Sequence, residues 1–169
     1  MLLKLDSINV LSHLSKLKNV KGRFDIIKAK KAKIIIDYAH TPDALKNVLT
    51  SINEIRKDFK KLITIVGCGG DRDKKKRPLI GKIASIKSDK VIFTSDNPRN
   101  EDPEKIIESM NNGVPSECIK KVINIINREE AIRKAFSMLK SGDVLLIAGK
   151  GHEEFQEVKG RKKPFNEYK

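Results

Sequence analysis

The feature that most constrains the fold is a regular alternation between short apolar runs and longer segments with helical periodicity. Apolar runs typical of buried strands occur at residues 33–37, 62–66, 90–94, 121–125 and 143–148. Between most of them lie segments in which apolar residues recur every three or four positions, the spacing of one helical face. This alternation predicts an α/β domain with a mostly parallel sheet flanked by helices.

Four of the helical segments begin with a recognisable start signal. A side-chain oxygen that can cap a helix, or a proline that suits its first turn, favours helix initiation. Such signals occur at Thr41–Pro42, at Pro78, at Asp102–Pro103, and at Asn127 with Glu130 three residues later. We therefore predict helices that begin at these four positions.

The two ends of the chain depart from the alternation. KGRFDII (21–27) is predicted to be an extended strand, with a short helix and a linker before it. FQEV (155–158) is predicted to be a last short strand. We assign residues 21–169 to the α/β domain and residues 1–20 to a linker or the remnant of another domain.

Unusual polar segments follow four of the predicted strands. They are DYAHTPD (37–43), GCGGDRDKKKRP (67–78), SDNPRNEDP (95–103) and GKGHE (149–153). In a parallel sheet the carboxyl ends of the strands lie at one edge, and ligands bind beyond that edge. The sequence therefore predicts that these four segments converge on a single site.

The charge balance limits the class of partner. Lys and Arg number 36 against 22 Asp and Glu, a net charge of +14. Such an excess suits a nucleic acid, a membrane surface or an anionic substrate. Aromatic residues make up 5% of the chain and Trp is absent, so stacking platforms for nucleic acid are not expected.

The sequence also bears on membrane insertion and on the cellular compartment. No run approaches the roughly 20 apolar residues of a membrane span. Two cysteines cannot build a disulfide framework, and we expect a cytoplasmic protein.

The polar segments carry few groups for catalysis. GCGG (67–70) and GKG (149–151) lack the spacing of a nucleotide phosphate loop. The three histidines are far apart in sequence and neither cysteine belongs to a C-x-x-C pair, so no metal site is predicted. Cys68 is interpreted as a small residue in a tight loop rather than a nucleophile. His40 alone fits a cap or a packed surface residue as well as a ligand.

The remaining polar groups suit recognition. Arg72 and Arg99 can each form bidentate bonds to a carboxylate. Asn97 offers a donor and an acceptor, and Glu153 can pair with an ammonium group. Together they would suit a zwitterion such as an amino acid. The alternative is ordinary surface ion pairing among Arg72, Asp73, Arg99 and Glu101, which would carry no function.

Five segments, in this order and spacing, resemble the C-terminal domain of the Mur ligases, and within that family the type that adds a diamino acid. They are GRFD (22–25), DYAHTPDAL (37–45), GCGGDRDKKKRP (67–78), TSDNPRNEDP (94–103) and AGKGHEEFQ (148–156). The resemblance runs from about residue 15 to the end. It implies a Rossmann-like α/β fold. It also implies that the nucleotide-sugar domain and the central ATPase domain of the family are missing, that residues 1–20 are the end of that central domain, and that a last helix usually follows FNEYK.

The resemblance implies an ATP-driven amide ligation in peptidoglycan synthesis. In the family, ATP phosphorylates the glutamate side carboxylate of UDP-MurNAc-L-Ala-D-Glu, and the amine of the diamino acid attacks the acyl phosphate. ATP and Mg²⁺ would be held mainly by the central domain, so this chain alone is expected to be inactive and to hold no catalytic residue. The implied partners are UDP-MurNAc-dipeptide and meso-diaminopimelate, or a close analogue such as meso-lanthionine. We expect a monomer.

Site residues carry over from the family by motif. Asp96, Asn97, Pro98 and Arg99 match the segment that recognises diaminopimelate. The other amino-acid contacts are matched by Arg72, Gly149 and Glu153. The residues that would face the nucleotide are Arg23, Asp37 and His40.

Two alternative functions stay open at this point. One is a basic nucleic-acid-binding module, suggested by the net charge of +14. The other is a domain of a folylpolyglutamate synthetase-like ligase, against which the register of DNPR (96–99) and GKGHE (149–153) argues.

Overall fold

The computed structural model describes residues 20–29, 32–56 and 60–168. The segment 1–19, which includes the predicted short helix and nearly all of the predicted domain remnant, lies outside this described part. The strands are β1 (Asp25–Ala29), β2 (Ala32–Asp37), β3 (Leu62–Val66), β4 (Lys90–Phe93), β5 (Val122–Asn124), β6 (Val144–Ala148), β7 (Phe155–Val158) and β8 (Arg161–Pro164). The helices are α1 (Pro42–Ile55), α2 (Lys76–Lys87), α3 (Pro103–Asn111) and α4 (Arg128–Met138), with a 3₁₀ helix at Ser116–Lys121.

Six strands form one sheet in the order β1-β2-β6-β3-β4-β5. β1 is antiparallel to β2, and every other pair is parallel. β7 and β8 form a separate antiparallel hairpin. The mostly parallel α/β sheet predicted from the alternation is therefore confirmed, whereas the pairing of FQEV with a further strand was not foreseen.

Helices cover both faces of the sheet. α1, α2 and α3 contribute Leu49, Ile80 and Ile106 to the core on one face. On the other face α4 contributes Ala131 and Ala135. All five residues of β3 are buried, as they are in β6, because these central strands have helices on both sides.

Three of the four helix starts are confirmed by their caps. Thr41 Oγ1 accepts a hydrogen bond from the Ala44 N–H, at 3.3 Å. Asp102 accepts one from the Glu104 N–H at 2.9 Å. Asn127 Oδ1 accepts two, from the N–H groups of the second and third helical residues of α4, at 2.9 and 3.2 Å. Each side chain satisfies a helix N–H that has no partner within the helix.

The predicted start at Pro78 is wrong by two residues, because α2 begins at Lys76. Pro78 therefore occupies the third helical position. Proline is tolerated throughout the first turn, since those N–H groups have no acceptor inside the helix. A proline alone indicates the first turn but not its first residue.

Candidate functional site

The four polar segments meet at one edge of the sheet, as predicted. The sheet order places the carboxyl ends of β2, β6, β3 and β4 side by side. The Gly149 N–H donates to the Asp37 carbonyl oxygen at 3.0 Å, which joins the ends of β6 and β2. The Gly70 N–H donates to the Asn97 carbonyl oxygen at 2.9 Å, which joins the ends of β3 and β4.

The glycines after β3 allow these loops to approach closely. A Cβ atom on Gly70 would lie 1.9 Å from the Pro98 carbonyl oxygen, and one on Gly67 would lie 2.4 Å from the Thr94 carbonyl oxygen. Neither position tolerates a side chain without movement of the neighbouring backbone. The glycines of GCGG therefore pack the loop against SDNP (95–98).

Cys68, between these glycines, is a buried packing residue. Its side chain belongs to the core beneath α1–α3. Burial raises the pKa of the Cys68 thiol to about 12. Because the thiolate is the nucleophilic form, this thiol is inert near neutral pH. The interpretation of Cys68 as a small loop residue agrees with this environment.

Asn97, Glu153 and Lys150 form a buried polar network. Asn97 Nδ2 donates to Glu153 Oε2 at 2.9 Å. Lys150 Nζ donates to Asn97 Oδ1 at 2.8 Å and to Glu153 Oε2 at 3.1 Å. Asp96 Oδ1 lies 3.5 Å from the same ammonium group. Two predicted amino-acid contacts, Asn97 and Glu153, are thus adjacent and held by a lysine that the motif analysis did not select.

Arg99 is held in place through both its backbone and its side chain. Its φ angle is 51°, in the left-handed region that non-glycine residues rarely adopt. The Arg99 N–H donates to the Glu157 carbonyl oxygen at 3.1 Å, and the Arg99 carbonyl accepts from the Lys159 N–H at 2.7 Å. The guanidinium donates from Nη1 to the Gly70 carbonyl oxygen at 2.8 Å, and Nε lies 3.2 Å from Glu157 Oε2.

Arg72 and Glu101 have different environments. Arg72 is exposed and lies beside Gly69, where a Cβ atom would be 3.6 Å from Arg72 Cγ and 3.0 Å from Arg99 Nη1. The two predicted carboxylate-binding arginines are therefore neighbours.

Glu101 pairs with Arg77, through hydrogen bonds of 2.9 and 3.0 Å. That interaction lowers the pKa of Glu101 to about 2. The alternative of ion pairing among Arg72, Asp73, Arg99 and Glu101 does not describe these contacts, since Arg99 pairs with Glu157 and Glu101 with Arg77 and Lys74.

The three predicted nucleotide-facing residues cluster around Tyr38. The Arg23 guanidinium lies 5.5 Å from the Tyr38 ring centroid, and the His40 ring lies edge-on at 4.7 Å. Arg23 and His40 are exposed. The Asp37 carboxylate accepts the Phe24 and Ala39 N–H groups, each at 2.7 Å, so it anchors β1 to β2.

These groups fit part of a nucleotide site. The exposed Arg23 guanidinium suits an anionic phosphate. For Mg²⁺ the fit is poor, because the described residues contain no cluster of three or more His, Cys, Asp or Glu side chains that would hold a metal ion.

Four residues of this edge were missed by the motif analysis. They are Tyr38, Arg77, Lys150 and Glu157. Lys150 carried a usable signal in the sequence, because it lies between two glycines, Gly149 and Gly151. In the structure both glycines adopt positive φ angles, 116° and 55°. Such a backbone can turn a side chain into the interior. Tyr38, Arg77 and Glu157 acquire partners between about 24 and 115 residues away, which no local pattern indicates.

An apolar groove lies elsewhere on the molecule. It has a volume of about 800 Å³ and is lined by β1, β2, β6, α4 and residues 164–168. Its lining is mainly isoleucine and aromatic, and it also includes Glu129, Arg133, Asn166 and Glu167. No helix in the described ranges is long and apolar enough to cross a lipid bilayer.

Comparison with known proteins identifies the family of the chain. A profile of the family described as "Mur ligase, glutamate ligase domain" matches residues 22–151. The UDP-N-acetylmuramoyl-L-alanyl-D-glutamate–2,6-diaminopimelate ligase of Cytophaga hutchinsonii is 50% identical over 163 residues, which cover 96% of this chain and 33% of the relative. The enzyme of the same name from Aquifex aeolicus is 52% identical over 149 residues, covering 88% and 30%. The chain thus spans about a third of the length of these relatives.

Solved structures also include a similar ligase of the same name. A ligase with this name superimposes with a TM-score of 0.81 at 39% identity, over 97% of this chain and 33% of that one. Folylpolyglutamate synthase of Mycobacterium tuberculosis matches with a TM-score of 0.63 at 21% identity, over 86% and 33%, a likeness of fold alone. Given the profile match and the relatives at about 50% identity, the chain belongs to the family of Mur ligase glutamate ligase domains.

Proposed function

We propose that this chain is the amino-acid-binding domain of an ATP-dependent ligase that adds a diamino acid to UDP-MurNAc-L-Ala-D-Glu. The observation that carries this proposal is the pairing of Asn97 with Glu153 beside the Arg99 guanidinium. Donors for a carboxylate and an acceptor for an ammonium group lie at one sheet edge. The names of the relatives point to 2,6-diaminopimelate as the amino acid.

The domain would act by positioning and electrostatics. Arg72, Asn97 and Arg99 would bind carboxylate, and Glu153 would bind an ammonium group. Asp96, Pro98 and Gly149 would shape the loops around them. Holding the amine in the geometry of attack accounts for a large part of the rate gain in such ligations. No covalent nucleophile from this chain is required.

The nucleotide would be shared with the rest of the protein. Arg23 would face the phosphates of ATP, and Asp37 and His40 would line the same wall. The phosphate loop and the Mg²⁺ site would belong to a central ATPase domain, of which residues 1–20 would be the end. The ligase would act in the cytoplasm as a monomer.

The proposed pocket distinguishes diamino acids by their charged ends. Meso-diaminopimelate carries a second carboxylate at its far end, whereas L-lysine has only the ammonium group there. With lysine bound, the Arg99 guanidinium would keep its contacts with Glu157 and Gly70 but would lose the carboxylate of the ligand, at a cost of roughly 1–3 kcal/mol. Meso-lanthionine has both charged ends, and a sulfur replaces only its central methylene.

A competition assay tests this function. In the ligase that contains this domain, we expect meso-diaminopimelate and meso-lanthionine to be used within about tenfold of each other, and L-lysine far less well. A preference for L-lysine would overturn the proposal. A hundredfold difference between the first two would show that the linker between the charged ends is also read.

A further inference from the structure

The orientation of the Asn97 carboxamide follows from the chemistry of its neighbours. Asn97 Oδ1 faces the Lys150 ammonium group at 2.8 Å and the Glu157 backbone N–H at 3.0 Å. Both of these groups can only donate. Asn97 Nδ2 faces a Glu153 carboxylate oxygen, which can only accept. All three neighbours therefore require the same orientation, with the oxygen inward and one N–H left for a ligand.

Lys150 is the common member of this arrangement. Its side chain is 0% exposed, although a buried ammonium group is costly without partners. Its three N–H bonds have three acceptors at hand: Asn97 Oδ1, Glu153 Oε2 and Asp96 Oδ1. The Lys150 ammonium group lies beside two carboxylates, those of Asp96 and Glu153. These three groups together therefore carry one net negative charge, whereas the carboxylates alone would carry two.

We propose that Lys150 is a positioning residue that sets the polarity of the amino-acid site. It holds Asn97 so that an N–H group is left for a ligand. It holds Glu153 by Oε2, so that Oε1, whose long contact of 3.5 Å is with the Tyr38 hydroxyl, is left as an acceptor. Asn97 then presents a donor to the ligand, and Glu153 presents an acceptor. The site takes a carboxylate at Asn97 and an ammonium group at Glu153, and it rejects a neutral carboxamide in place of that carboxylate. This inference rests on the proposed function.

Loss of the ammonium group would weaken this polarity in two ways. Glu153 would lose its cation and keep Asp96 as a like-charged neighbour, so it would move toward solvent and release Asn97. The extra uncompensated negative charge would also repel a ligand carboxylate but not a neutral carboxamide. Both effects reduce the discrimination between acid and amide.

The test compares meso-diaminopimelate with its monocarboxamide, in which the carboxylate remote from the reacting amine is amidated. In the ligase that contains this domain, Lys150→Met should reduce the ratio of kcat/KM for acid over amide at least tenfold. The change should lie mainly in KM for the amino acid, with KM for ATP within about twofold of wild type. A lysine with only a structural role would not change the ratio between two ligands.

Lys121→Met provides a matched control. The Lys121 ammonium group is also partly buried, and it donates to the Ser85 and Ser88 carbonyl oxygens at 3.5 and 3.4 Å. It precedes β5, at the opposite edge of the sheet. The acid-to-amide ratio should not change in this variant.

Each outcome has a distinct meaning. If the wild-type ligase prefers the acid and Lys150→Met keeps the full preference, the role of Lys150 is refuted and the proposed function stands. If the wild-type ligase uses neither diamino acid, the proposed function itself is refuted, and the inference about Lys150 is refuted with it. Should Lys150→Met not fold, Asn97→Asp tests the same polarity, because a carboxylate cannot donate. It should also reduce the ratio at least tenfold, and an unchanged ratio there would refute the inference.

Discussion

At the scale of single residues, hydrogen bonds and ion pairs among the side chains of the candidate site fix their positions. Arg99 combines a left-handed backbone at φ 51° with a guanidinium bonded to the Gly70 carbonyl. Strain of this kind persists only where the surrounding contacts impose it, and it is common at ligand sites. The side chain is 21% exposed, so little conformational freedom remains to be lost on binding.

Replacement of Arg99 should remove most of the preference for a second carboxylate. Loss of a charged bidentate contact costs about 2–5 kcal/mol, and Arg99→Lys should restore only part of it, since a point charge cannot reproduce the fork. We expect Arg99→Ala and Arg99→Asn to behave alike in assays of diaminopimelate against lysine. Asparagine tolerates the left-handed backbone, so it separates loss of the guanidinium from backbone strain. Unchanged selectivity in both variants would show that another residue reads the carboxylate.

The ion pair between Arg77 and Glu101 should make the free energy of unfolding depend on pH in the acid range. Arg77 lowers the pKa of Glu101 from the usual 4.5 to about 2. A lowered pKa in the folded state stabilises the fold above the usual value, and this stabilisation disappears as the pH falls from about 4.5 to about 2. Glu101→Gln should therefore lower the unfolding free energy at pH 7 by about 1–2 kcal/mol.

Urea titrations at pH 7 and near pH 2 measure this effect. The difference between wild type and Glu101→Gln should disappear at the acid end. Glu129→Gln is the control, because Glu129 forms an exposed pair with Arg133 on α4. Such pairs contribute little. An equal loss in both variants at pH 7 would contradict the special role of Glu101.

At the scale of elements, the β7–β8 hairpin holds the segment that is proposed to read the amino acid. Val158 forms a parallel bridge with Arg99. The Glu157 N–H donates to Asn97 Oδ1, and the Gln156 side chain donates to the Asp96 carbonyl. Three successive hairpin residues, 156–158, thus contact three residues of DNPR (96–99), so the hairpin helps to hold this segment in place.

The hairpin turn can be stabilised by a single substitution. Its two turn residues, Lys159 and Gly160, have φ angles of 49° and 71°. Two positive φ angles in a two-residue turn favour Asn-Gly. Lys159→Asn should therefore stabilise the protein by about 0.5–1 kcal/mol in urea unfolding, because asparagine tolerates this backbone better than lysine.

Lys163→Asn is the matched control for the turn. Lys163 is exposed within β8 and has an ordinary strand backbone. Asparagine is disfavoured in strands, so this variant should be neutral or slightly less stable. If both substitutions lowered stability equally, the turn assignment would be wrong.

At the scale of the whole molecule, one sheet edge carries the groups that we propose for two different ligands. Tyr38 lies between them, with its ring near Arg23 and its hydroxyl 3.5 Å from Glu153 Oε1. The chain spans about a third of the length of its relatives, so under the proposed function these groups would line only part of each site. The net charge of +14 suits anionic ligands such as those of the proposed function.

The isolated 169-residue chain should have no ligase activity and should bind ATP weakly. No phosphate loop occurs in this sequence, and Arg23, Asp37 and His40 form one wall of the proposed nucleotide site. Phosphate release measured with ATP, UDP-MurNAc-dipeptide and meso-diaminopimelate should remain at background. Turnover by this chain alone would contradict the assignment as one domain of a larger ligase.

The sequence by itself determined the features that depend on neighbouring residues. β3 matches its predicted bounds of 62–66, because five apolar residues in a row suit a strand buried on both faces. The caps at Thr41, Asp102 and Asn127 were predictable because each bond spans two or three residues. Convergence of the four polar segments followed from the rule for parallel strands.

Only the tertiary structure decided which side chains hold the site residues. Lys150 reaches Asn97 across 53 residues of sequence, and the hairpin reaches Asn97 across 60. Glu101 forms its shortest ion pair with Arg77, because packing buries the Arg77 guanidinium beside the Glu101 carboxylate. These partners are set by the distance between packed loops. No periodicity or motif records that distance, since it exists only after the sheet has assembled.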